Sequence, residues 1–133
     1  MNPDRAKILC VEDDADILDY VGDFLERLGF SVLKAPHADQ AWKYLEEQGD
    51  EIVLVVSDYA MPRVTGAGLR KKMLNRFGHI PFVMLSGYHE HTMNLEDTEH
   101  TISHFARKPL NPDELAKVIH RQIALYYKAG GDQ

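Results

Sequence analysis

Residues 51–62 read EIVLVVSDYAMP, and positions 52–57 are almost wholly β-branched or aliphatic. Such a run reads as a strand buried on both faces, which needs helices packed above and below it. It stops at Asp58, and Pro62 soon after rules out a continuing strand ladder. A carboxylate therefore stands where a buried parallel strand leaves its sheet. In open α/β sheets that carboxyl edge is where ligands bind. Taken alone, Asp58 reads as a loop or cap residue, so its meaning depends on what else reaches the same edge.

Around this strand, apolar runs of strand length alternate with amphipathic segments. Residues 6–12 (AKILCVE) form a first strand that ends in three successive acids, Glu12, Asp13 and Asp14. Over residues 16–28, Ile17, Tyr20, Val21, Phe24, Leu25 and Leu28 fall at helical spacing. Asp14 is placed to cap that helix and Gly29 to end it. Residues 30–35 predict a second strand, 38–48 a second helix, and 65–77 a third helix ended by Gly78. Residues 80–86 (IPFVMLS) read as a fourth buried strand.

The stretch 88–104 has no clear apolar stripe. A helix is needed there to cross back over the sheet, and it is predicted to be short or mobile. Residues 105–108 make a short fifth strand stopped by Pro109. Asn111 caps the last helix, Pro112 takes its first position, and residues 115–127 supply its apolar face. Residues 129–133 read as a frayed tail.

Five βα repeats predict a doubly wound α/β fold, with a parallel sheet and helices on both faces. The flavodoxin-like strand order, 2-1-3-4-5, sets strands one and three side by side at the switch point. A chain of 133 residues, 44% hydrophobic and 27% charged, suffices for one core but not two. The whole of residues 1–133 is therefore read as one domain, with its core in about 5–128. A net charge of −6 without a Lys/Arg cluster argues against a nucleic-acid surface. No apolar run reaches membrane-spanning length, and the opening MNPDRAKILC lacks a signal pattern. Cys10, the single cysteine, reads as a reduced core residue. These features predict a cytoplasmic protein.

In a parallel sheet every strand ends on the same side, so Asp13, Asp14, Asp58, Ser86 and Lys108 gather at one edge. Three carboxylates that close repel one another unless a positive group joins them. A hard cation such as Mg2+ answers that need, and Lys108 adds a fixed positive charge. Metal, ammonium and hydroxyl around one carboxylate suit a phosphoryl group with its charged oxygens. Each residue also has an ordinary reading as cap, turn or solvated side chain. All of them meeting at one edge by chance is much the weaker account.

These residues resemble the receiver domain of two-component response regulators, over about residues 7–127. The matching stretches are ILCVEDD, SDYAMPRVTG, MLSG and FARKP. The resemblance implies a phosphorylation-controlled switch, not an enzyme with a separate product. Asp58 would accept the phosphoryl group from a sensor histidine kinase or histidine phosphotransfer protein. Asp13, Asp14, Asp58 and the Ala60 backbone carbonyl would hold Mg2+ or Mn2+. Ser86 and Lys108 would bind phosphoryl oxygens, and Ser86 with Phe105 would form the switch. The resemblance also implies a cis bond before Pro109, a downstream protein target or an output domain elsewhere, and no direct contact with nucleic acid. It leaves homodimerisation through the fourth or fifth helix open.

Ala60 and Tyr88 stand where the family tunes the lifetime of the acyl phosphate; Tyr88 is expected to lengthen it by obstructing water. Phe105 lacks a phenolic hydroxyl, so any switch through it is steric. TISH before Phe105 departs from the small-residue run common there, which singles out the fourth helix. His89 with His91, and His100 with His104, have spacings that can chelate a metal, yet read better as solvated side chains. Two other functions compete. A receiver-fold interaction module indifferent to phosphate need not keep Asp58, Ser86 and Lys108. A phosphatase of the haloacid-dehalogenase type needs a second Asp where Ala60 stands.

Overall fold

The computed structural model describes residues 6–87 and 93–129. Five strands form one parallel sheet: β1 (Lys7–Val11), β2 (Ser31–Ala35), β3 (Ile52–Asp58), β4 (Phe82–Ser86) and β5 (His104–Arg107). Their order is β2-β1-β3-β4-β5, the doubly wound order the sequence predicts. Among the described residues the α-helices are α1 (Ala15–Arg27), α2 (Ala38–Gln48), α3 (Gly66–Phe77) and α4 (Pro112–Lys128). Right-handed crossovers put α1 on one face, because the chain steps from β1 outward to β2. They put α2 and α3 on the other, because it then steps back toward β4.

Burial follows position in the sheet. All seven residues of β3 and all five of β4 are buried, while edge strands β2 and β5 are half-exposed. The core runs along the central strands, with Ile8, Leu9, Leu54, Val55 and Met84 fully covered, and Leu25, Leu45, Leu69 and Ile119 closing over them from the helices. Cys10 lies in this core, where burial pushes its thiol up to about 12. That makes it inert at neutral pH.

The helix boundaries follow their caps. Asp14 accepts from the amides of Asp16 and Ile17 at 3.0 and 3.2 Å, Thr65 from Gly68, and Asn111 from Glu114. The cap of α2 is His37, whose Nδ1 accepts from the Gln40 amide at 3.1 Å. Past α1, Gly29 takes φ +102, the left-handed conformation that favours glycine. The peptide bond between Lys108 and Pro109 is cis.

The crossover from β4 to β5 differs from the expected βα rhythm. Among the described residues it holds only a 3-10 turn, Glu99–Thr101, and no α-helix. Local chemistry accounts for this. The Asn94 side chain accepts from the Glu96 amide at 3.1 Å, and Glu96 and Asp97 both take positive φ, 50 and 64°. Two successive left-handed residues cannot belong to a right-handed helix. The segment still covers the sheet, with Thr98 fully buried and Met93 and Ile102 nearly so. Among the described residues no helix is long and apolar enough to cross a membrane.

Candidate functional site

The ends of β1, β3 and β5 bring four charged groups together. The Lys108 ammonium lies 2.8 Å from Asp58 Oδ1 and 3.3 Å from Glu12 Oε1. Glu12, Asp13 and Asp58 each offer a carboxylate oxygen within 4.8 Å of the others. Glu12 and Asp58 are buried, at 2% and 5% exposure, while Asp13 faces solvent. The backbone sets this up. Val11 pairs with Ser57, so the residues that follow leave the sheet beside Asp58. Leu85 pairs with Asp58, which puts Ser86 one step beyond it, and the Lys108 amide donates to the Ser86 carbonyl at 2.9 Å.

The acid run is where the structure departs from the expected assignment. The third carboxylate of the cluster is Glu12, not Asp14. Asp14 spends its carboxylate on the first amides of α1 and is exposed. Sequence reasoning had a signal for this: a residue that caps a helix is not free to join a cluster. Ala60 is exposed two residues past Asp58. Phe105 is half-buried on β5, paired with Met84. Tyr88, His89 and His91 lie outside the described residues. His100 and His104 do not share a helix, since one sits in the 3-10 turn and the other starts β5.

Electrostatics mark the cluster as under-neutralised. Burial, a hydrogen bond that protonated Glu12 donates to the Asp58 carboxylate, and repulsion by the Asp58 charge push Glu12 up to about 7, although Lys108 opposes them. Burial works against the Lys108 charge, but hydrogen bonds and attraction from Asp58 and Glu12 outweigh it, so its pKa is raised. Glu12 Oε2 is buried with no hydrogen-bond partner among the described residues. Among the described residues the Lys108 ammonium pairs with two of the three carboxylates, Glu12 and Asp58, and a buried, unpaired carboxylate oxygen is costly.

Residues 8–120 match the family model described as the response regulator receiver domain. The chain belongs to that family. As a receiver domain it is 31% identical over 112 residues to the chemotaxis protein CheY1 of Helicobacter pylori strain J99, covering 82% of this chain and 90% of that one. It spans only 20% and 22% of the putative two-component response regulators ARR21 and ARR13 of Arabidopsis thaliana, each 28% identical. Among solved structures, a CheY-like receiver domain protein from Methanospirillum hungatei superposes with a TM-score of 0.82 at 26% identity, covering 93% of this chain and 98% of that one. The receiver domain of the hybrid histidine kinase CckA gives 0.76 at 30%, covering 89% and 99%. Receiver domains are signalling switches of two-component systems that work with histidine kinases or phosphotransfer proteins.

Proposed function

We propose that Asp58 accepts a phosphoryl group from a histidine kinase or histidine phosphotransfer protein, with Mg2+ or Mn2+ required. The acyl phosphate then alters a surface read by a downstream protein. The observation that carries this reading is the Lys108 ammonium, 2.8 Å from the buried Asp58 carboxylate, with Glu12 and Asp13 alongside.

The residues fit a hard divalent cation, because three carboxylates converge and Glu12 Oε2 lacks a hydrogen-bond partner among the described residues. Glu12, Asp13 and Asp58 would hold the ion, with the Ala60 carbonyl as a further ligand. Bound there, it would offset the charge of the incoming phosphoryl oxygens. In the transfer, an Asp58 carboxylate oxygen forms the new P–O bond while the P–N bond to the donor imidazole breaks. The imidazole nitrogen leaves with the bonding pair and takes a proton from solvent. Lys108 steadies Asp58 before transfer and pairs with a phosphoryl oxygen after it. Ser86 would donate its hydroxyl to another, and Phe105 would follow Ser86 inward by shape alone. Ala60 and Tyr88 would set the lifetime; a Tyr88→Ala variant is expected to lose phosphate faster, as read by its decay rate.

Intact mass after incubation with Mg2+ and a small acyl phosphate donor tests the proposal. The expected result is a gain of one phosphoryl group that disappears without Mg2+ and in Asp58→Ala. Failure of both a small donor and a cognate kinase to label Asp58, with Mg2+ shown to bind, would overturn it. Undiminished partner binding by Asp58→Ala would then favour an interaction module indifferent to phosphate.

A further inference from the structure

Residues 94–101 lead from β4 toward β5, yet they are fastened to the end of β3 and to α3. At one end, the Tyr59 hydroxyl accepts from the Asn94 amide at 2.9 Å and donates to the Asn94 carbonyl at 3.4 Å. In the middle, a Glu96 carboxylate oxygen lies over the first turn of α3, 3.1 Å from where a Cβ on Gly68 would stand. That turn has no acid of its own, and the start of a helix favours negative charge. At the other end, the buried Arg70 of α3 donates from Nε to Thr101 Oγ1 and from Nη2 to the Thr101 carbonyl.

Between these anchors the backbone holds a conformation that the chain disfavours. Glu96 and Asp97 take φ of 50 and 64°, where residues other than glycine go singly and at a cost. Such a pair persists only where the surrounding contacts over-determine it. The anchor at Tyr59 is the one beside the phosphoacceptor. Tyr59 follows Asp58 in sequence, and its amide donates to the Leu85 carbonyl at 2.9 Å. Ser86 comes next after Leu85. The backbone of Tyr59 therefore joins the residue that would carry the phosphoryl group to the one that would bind it, and the ring spans from there to Asn94.

We propose that Tyr59 is a latch: phosphorylation of Asp58 parts its hydroxyl from Asn94 and lets residues 94–101 leave their fastened conformation. This rests on phosphoryl acceptance at Asp58. As Ser86 closes on a phosphoryl oxygen, the Leu85 carbonyl shifts with it and draws the Tyr59 amide along. Thr101 stays with Arg70, so the displacement falls on the Tyr59–Asn94 pair. Bonds of 2.9 and 3.4 Å to a single residue tolerate little of it, because a hydrogen bond is lost by about 3.6 Å. Without the latch, Glu96 and Asp97 are free to leave the left-handed region, which gives the crossover two states.

Amide hydrogen exchange on the full chain tests this, with and without an acyl phosphate donor and Mg2+, while intact mass reports the phosphoryl group in the same samples. Phosphorylation of wild type should speed exchange over residues 94–101 about threefold to tenfold, the worth of one hydrogen bond, with β3 and α3 unchanged. Tyr59→Phe should show the faster rate before phosphorylation and gain nothing from it. Glu96→Gln loosens the same segment but keeps the latch, so it should start faster than wild type and still respond. A merely structural Tyr59 would behave as Glu96 does. The latch is overturned if phosphorylated wild type keeps its original rates over 94–101, or if Tyr59→Phe responds as fully as Glu96→Gln. A mass gain without faster exchange removes the latch alone, whereas no mass gain from a small donor or a kinase removes the phosphoacceptor reading and the latch with it.

Discussion

Glu12 and Asp14 lie two residues apart and do different work, which mutation separates. Asp14→Ala removes a helix cap and should cost about 1 kcal/mol, read as a lower urea midpoint, while acceptance of phosphate at Asp58 persists. Glu12→Gln should leave α1 intact and weaken divalent-cation binding, measured by titration calorimetry. Glu12 also sets a pH dependence. Its pKa rises from an ordinary 4.5 to about 7, so the folded chain holds a proton that the unfolded chain has released. Its contribution to stability is complete below that window and is lost as pH rises through about 7. In metal-free buffer, the wild-type urea midpoint should therefore fall relative to Glu12→Gln between about pH 5 and about pH 8. Asp58 and Lys108 are legible in sequence, because each follows an abrupt end to an apolar run. Glu12 is not, since three acids in a row do not say which carboxylate turns toward β3. Only the cap rule, applied to Asp14, removes one of the three.

At the scale of elements, the loop after β3 is held to the strand by close approach. The Gly66 amide donates to the Tyr59 carbonyl, and a Cβ at Gly66 would come within 2.5 Å of the Asp58 carbonyl and 2.7 Å of Met84 Sδ. Gly66→Ala should thus destabilise the fold by about 1–3 kcal/mol and slow phosphoryl acceptance by shifting the Asp58 backbone. The same strand end tethers the crossover to β5. The Tyr59 hydroxyl accepts from the Asn94 amide at 2.9 Å and donates to its carbonyl at 3.4 Å. Tyr59→Phe should speed amide exchange over residues 94–101 by loosening this tether, with little change in global stability, as hydrogen exchange would register. Strands and the other helices are legible because periodicity and caps agree there. The crossover is not, because its course depends on Asn94, Glu96 and Asp97 making local bonds that no apolar pattern announces. His37 is a further element-scale surprise, a cap drawn from a residue type that ordinary capping preference ranks low.

For the molecule as a whole, the cation binding proposed for the acid cluster would couple stability to divalent ions. A cation that binds only the folded form adds about 2.7 kcal/mol at a hundred times its dissociation constant. Thermal melts should therefore shift upward with added Mg2+, and Glu12→Gln should blunt the shift. The cluster also spans the chain. Lys108 and Glu12 stand 96 residues apart in sequence, yet share one hydrogen bond. During synthesis, Glu12 and Asp58 leave the ribosome well before Lys108 does. A nascent chain paused before β5 carries the acids without their cation, so the cluster around Asp58 is complete only once β5 has docked beside β4.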